Sequence, residues 1–121
     1  MKKILIIEDE SILQKALSDI LKEQNYEIVN ALDGEKGLKM AISQIPDLII
    51  LDLILPKKEG FEVLEELKNN QKTEKVPVII LTNIERMEDM EKAFELGATA
   101  YLIKAQYKLE EIVQKINETL E

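Results

Sequence analysis

The chain has 121 residues and a formal net charge of -8, enough for one domain, residues 1–121, that buries roughly two-thirds of its unfolded surface without staples. It contains no cysteine and no histidine, which excludes disulfides, thiolate or imidazole metal ligands and every catalytic scheme built on Cys or His. The negative charge, with basic residues scattered rather than clustered, argues against nucleic acid or an anionic membrane as a partner of this chain.

Five short apolar runs alternate with amphipathic stretches, with no repeat and no low-complexity linker. The first, 3–7, follows Met1-Lys2 and is too short for a signal peptide or a membrane span, so a cytoplasmic location is the default expectation. Ile12, Leu13, Ala16, Leu17, Ile20 and Leu21 then repeat at intervals of three and four, as one helix face does. The second run, 26–31, alternates through Glu27 and Asn30 and reads as an edge strand. The third, 48–51, is apolar throughout and leads to a stripe of Phe61, Leu64 and Leu67. The fourth, 78–81, is again wholly apolar, and the fifth, 100–103, precedes a last stripe of Leu109, Ile112, Val113, Ile116 and Leu120.

Strands joined by helix-length crossovers run parallel, and right-handed crossovers on both faces give a doubly wound three-layer α/β sandwich. Two apolar interior strands beside the first, with the second at an edge, favour a five-stranded parallel sheet in the order 2-1-3-4-5, as in flavodoxin-like proteins.

Such folds bind ligands at the carboxyl ends of their strands. There the sequence places Glu8-Asp9 after the first strand, Asp52 after the third, Thr82 after the fourth and Lys104 after the fifth. Close carboxylates repel by about 4 kcal/mol per pair at an effective dielectric of about 20, and Lys104 supplies one compensating charge where three are needed. An oxygen-only donor set of this kind suits Mg²⁺ or Mn²⁺. A metal beside a carboxylate nucleophile, a lysine and a hydroxyl is the equipment of phosphoryl transfer. Taken singly, each residue has a plainer reading: Asp52 or Glu8-Asp9 as helix caps, Thr82 as a strand former, Lys104 as one more solvated lysine. Four strand ends that all carry the required type favour the chemical reading.

The blocks Ile4 to Glu10 (ILIIEDE), Pro46 to Gly60 (PDLIILDLILPKKEG), Val78 to Thr82 (VIILT) and Leu96 to Lys104 (LGATAYLIK) follow one another across nearly the whole chain. In this order they resemble the signature blocks of bacterial response-regulator receiver domains, the phosphoacceptor modules of two-component phosphorelays. The resemblance implies that Glu8, Asp9 and Asp52 hold Mg²⁺ together with the backbone carbonyl of Ile54. It implies that Asp52 accepts a phosphoryl group from a histidine kinase or phosphotransfer protein, with Thr82 and Lys104 on the phosphoryl oxygens. Thr82 and Tyr101 would then act as the switch that alters the surface of the fourth helix, fifth strand and fifth helix, read by an unnamed downstream protein. Such a domain assists its own phosphorylation and slow self-dephosphorylation and is otherwise not an enzyme. For Tyr101 an ordinary edge-strand tyrosine is an equal alternative.

Three departures from the family pattern carry expectations. Lys104 is followed by Ala105 where the family usually has proline after a cis bond, so either a trans bond with a reshaped loop or a cis bond held by Lys104 is expected. Glu8 replaces the commoner Asp, favouring a water-mediated metal contact. Asn83 narrows the approach to Asp52, and Ile54 and Ile84 would flank the phosphoryl group without activating water, which predicts a long-lived phosphoryl state.

Three other functions compete. A phosphorylation-independent interaction module would keep the fold and lose the switch. A flavodoxin-like electron carrier is opposed by acidic Glu8-Asp9-Glu10 where a flavin phosphate would lie, and a metal-dependent phosphatase by Ile54 where its second acid would be. The chain stops at Glu121, directly after the last stripe, so either a stand-alone regulator or a receiver from a longer protein is expected. A monomer or weak homodimer is expected too, since Met87, Met90, Phe94 and Ile112 fit a core stripe as well as an interface.

Overall fold

The computed structural model describes Met1–Glu121. Its strands are β1 (Lys3–Ile7), β2 (Glu27–Ala31), β3 (Leu48–Leu51), β4 (Val78–Thr82) and β5 (Ala100–Ile103). Its helices are α1 (Ser11–Glu23), α2 (Gly34–Gln44), α3 (Gly60–Lys68), α4 (Met87–Glu95) and α5 (Leu109–Leu120). One turn of 3₁₀ helix spans Lys104–Gln106. All strand pairs are parallel, and the order is β2-β1-β3-β4-β5, as expected. No helix is long and apolar enough to cross a membrane.

Period-two alternation along the strands divides the core into two layers. Leu5, Ile7, Ile49, Leu51, Val78 and Ile80 face α2, α3 and α4, meeting Ala41, Val63, Leu64, Leu67 and Ala93. Ile4, Ile6, Leu48, Ile50, Ile79 and Leu81 face the other way, against Leu17 and Leu21 of α1 and Ile112, Val113 and Ile116 of α5. Both faces of β1, β3 and β4 are therefore covered, which is why those strands are apolar apart from Lys3 at the start of β1 and Thr82 at the end of β4. Edge strand β2 keeps Glu27 and Asn30 exposed.

The α1 stripe differs from expectation at its start. Ile12 is 86% exposed. The buried face of α1 is instead Gln14, Leu17, Ser18 and Leu21, with Leu13 and Ile20 packed at its margin. Of these two buried polar residues, Ser18 has Asn30 as partner, and the Gln14 NH₂ group has the backbone carbonyls of neighbouring strand ends, while Gln14 Oε1 is left without a partner. In α4, Met87 and Phe94 are exposed and only Ala93 is fully buried, whereas Ile112 of α5 belongs to the core.

Candidate phosphoryl and metal site

The strand ends converge as anticipated. Backbone bonds set the floor of the crevice: the Asp52 N–H donates to Ile7 O at 3.1 Å and the Glu8 N–H to Ala31 O at 3.0 Å, so β1, β2 and β3 end level with one another. The Gln14 amide, 4% exposed, reaches from α1 beneath this floor and donates to the carbonyls of Ile6, Glu8 and Ala31 at 3.1, 3.2 and 3.0 Å. It fastens the β1 turn that carries Glu8 and Asp9, a role the sequence reading missed because a glutamine within an apolar stripe has no distinctive signature. Gly60 starts α3 hard against the turn after β3: a Cβ there would lie 2.4 Å from Asp52 O and from Leu53 Cα. Only glycine permits that approach.

One oxygen each from Glu8, Asp9 and Asp52 lies within 4.8 Å of the others. The Lys104 ammonium enters the cluster, 2.8 Å from Asp52 Oδ2, 2.9 Å from Glu8 Oε1 and 3.0 Å from Glu10 Oε1. The Lys104–Ala105 bond is trans, since the chain has no cis peptide, and Lys104 opens the 3₁₀ turn that directly follows β5. Glu8, whose extra methylene favours a water-mediated metal contact, makes a direct ion pair with Lys104 in this arrangement.

Burial pushes the Glu8 carboxyl up to about 7, against the hydrogen bonds from Lys104 and the Glu10 N–H that favour its charge. For Lys104 burial pulls the other way, but hydrogen bonds to Asp52, Glu8 and Glu10 outweigh it, and the ammonium titrates above its ordinary value. Lysine stays charged. A single cation among four acids leaves an excess of negative charge at a water-accessible cavity of about 170 Å³ lined by Asp9, Glu10, Asp52, Ile54, Asn83 and Lys104. Oxygen donors, net negative charge and open room fit a hard divalent cation that keeps several waters.

The plainer readings of the acids lose ground here. Asp52 lies eight residues before α3 begins and caps nothing; its Oδ1 accepts from the Ile54 N–H at 3.2 Å. Glu8 accepts from the Glu10 N–H at 3.1 Å but does not cap α1, whose N-cap is Glu10. Thr82 is fully buried, and its hydroxyl has no hydrogen-bond partner. An unpaired buried hydroxyl costs about 1–3 kcal/mol.

Two flanking residues behave differently from one another. Ile54 is 59% exposed and lines the crevice together with Asn83. Ile84 does not line this cavity: its side chain turns into the β3–α3–α4 layer, beside a separate cavity of about 350 Å³. Its carbonyl accepts from the Tyr101 hydroxyl at 2.8 Å, which ties β5 to the loop after Thr82. Burial, with Asp89 and Asp52 nearby, pushes the Tyr101 phenol up to about 12.

Comparison with known proteins agrees with this geometry. The family model for the response regulator receiver domain matches residues 4–117. The transcriptional regulatory protein CiaR of Streptococcus pneumoniae is 43% identical over 120 residues, 99% of this chain and 52% of that protein. Among solved structures, a CheY-like receiver domain protein of Methanospirillum hungatei superposes with a TM-score of 0.92 at 28% identity, covering 99% of this chain and 94% of that one. The Mn²⁺-bound form of response regulator Rcp1 superposes with a TM-score of 0.84 at 34% identity, covering 98% and 93%. The chain spans about half the length of the curated relatives it matches. With the fold, the acidic cluster and a family match over nearly every residue in agreement, this chain belongs to the response regulator receiver domain family of two-component systems.

Proposed function

We propose that residues 1–121 act as a phosphoacceptor domain that takes a phosphoryl group onto Asp52 from a histidine kinase or phosphotransfer protein in the cytoplasm. The observation that carries the reading is the placing of Lys104 Nζ 2.8 Å from Asp52 Oδ2 within the Glu8-Asp9-Asp52 cluster, while Thr82 at the end of β4 keeps a buried hydroxyl without a partner. In the transfer, a carboxylate oxygen of Asp52 attacks phosphorus. The P–N bond to the donor imidazole breaks, its electron pair returns to nitrogen, and an acyl phosphate forms.

Lys104 holds a positive charge where phosphoryl oxygens arrive, and Thr82 offers a hydroxyl with no prior partner to exchange. Glu8, Asp9, Asp52 and the Ile54 carbonyl would hold Mg²⁺, or Mn²⁺ in its place. When bound, such an ion would supply positive charge to neutralise the acids and the charge that develops in the transfer. When Thr82 turns toward the new group it pulls on the loop bearing Ile84, whose carbonyl holds Tyr101. That chain of contacts connects Asp52 to the surface of α4, β5 and α5, which a downstream protein would read. The exposed Met87 and Phe94 belong to this surface.

Intact mass after incubation with Mg²⁺ and a small phosphodonor tests the reading, with Asp52→Asn as control. A single phosphoryl adduct on the native chain, absent from the control, supports it. No adduct under conditions where another receiver reacts favours a phosphorylation-independent interaction module.

A further inference from the structure

An ammonium group has three protons, and all three of Lys104's are engaged by carboxylates: Asp52, Glu8 and Glu10, at 2.8, 2.9 and 3.0 Å. A phosphoryl oxygen approaching Lys104 must displace one of them. Asp52 and Glu8 are buried, with side chains 5% and 2% exposed, and both belong to the cluster that would hold Mg²⁺, so neither can retire to water when it gives up Lys104. Glu10 is different. Its side chain is 57% exposed at the mouth of the cavity, so its carboxylate returns to water at little cost. It also occupies the N-cap of α1 yet makes no side-chain cap bond, because it reaches across to a lysine 94 residues away instead.

The geometry points to Glu10 as a displaceable placeholder: its carboxylate holds on Lys104 the position that a phosphoryl oxygen takes over, keeping the ammonium aimed into the crevice until that exchange. Glu10 is thus a positioning residue that acts through Lys104 and sets how readily the site accepts an anionic donor. This rests on Asp52 being the acceptor. Because the carboxylate and the donor compete for one proton of Lys104, the effect belongs to the donor concentration that gives half the limiting rate, and leaves Mg²⁺ affinity unchanged.

The test compares the native chain with Glu10→Asp and Glu10→Ala, using phosphoramidate as donor with saturating Mg²⁺ and following adduct mass against time and donor concentration. Aspartate keeps the charge but is one methylene too short to reach Lys104, and is well suited to capping α1 instead. Both variants are expected to be half-saturated at about two- to five-fold less donor, the range an exposed ion pair commands. Calorimetric Mg²⁺ affinity is expected to stay within about two-fold of the native value. Equal donor dependence in all three proteins overturns the proposal. So does a gain in Glu10→Ala alone, which would mark plain charge repulsion, or a large loss of Mg²⁺ affinity, which would make Glu10 a metal ligand. A native chain that forms no Asp52-dependent adduct instead overturns the acceptor reading itself, and this proposal with it.

Discussion

Lys104 Nζ and Asp52 Oδ2 lie 2.8 Å apart, with the two side chains 10% and 5% exposed, so each is the other's principal compensation for leaving water. Removing one partner of a buried pair costs about 3–5 kcal/mol when nothing replaces it. Lys104→Met is therefore expected to lower metal-free stability by several kcal/mol and to slow adduct formation. Added Mg²⁺ is expected to restore more stability to this variant than to the native chain, because it replaces the missing charge. Denaturant melts with and without Mg²⁺ check this.

Glu8 gives a pH dependence of definite sign. Its folded value of about 7 lies above the ordinary carboxylate value of 4.5, so the native state binds this proton more tightly than the unfolded chain does. The stabilisation associated with it is fully present below about 4.5 and is lost as pH rises through about 7. Glu8→Gln is expected to flatten that decline in metal-free melts. Mg²⁺ binding needs the ionised form, so its affinity is expected to rise with pH up to about 7 and then level off, as followed by calorimetry.

Ile54 and Ile84 are equivalent by spacing but not in space. Ile54 lines the crevice and Ile84 packs away from it. A polar side chain at 54, as in Ile54→Gln, is expected to hasten loss of the phosphoryl group by orienting a water molecule. Ile84→Gln is expected to change the lifetime little while lowering stability. Decay of the adduct mass after donor removal separates the two, and equal decay of Ile54→Gln and the native protein would contradict the long-lived state proposed from these residues.

Ile45 ends α2 at φ 43°, a left-handed conformation that a β-branched side chain tolerates poorly. Its side chain is half exposed. Ile45→Asn is expected to raise stability by about 0.5–1 kcal/mol without changing adduct formation, as measured by thermal melting beside the mass assay.

The sheet and its strand order were legible in the sequence because burial on one or both faces writes itself directly into strand composition. Apolar β1, β3 and β4 must lie inside, and alternating β2 must lie at an edge. Once the strands are parallel their carboxyl ends share one side, so Glu8, Asp9, Asp52, Thr82 and Lys104 all fall on that side of the sheet. The tertiary structure alone decided what those residues touch. Helical spacing cannot say which margin of a stripe reaches solvent, so Ile12 was counted in the stripe that covers the sheet and buried Gln14 was left out of it. It cannot say which way a loop side chain turns, so Ile84 was set beside Ile54. Nor could it reveal that Glu10, an acid at the start of a helix, would leave its own backbone uncapped to bind Lys104. Contacts between residues 94 apart depend on how the layers pack, and packing geometry is a property of the whole fold rather than of any local pattern.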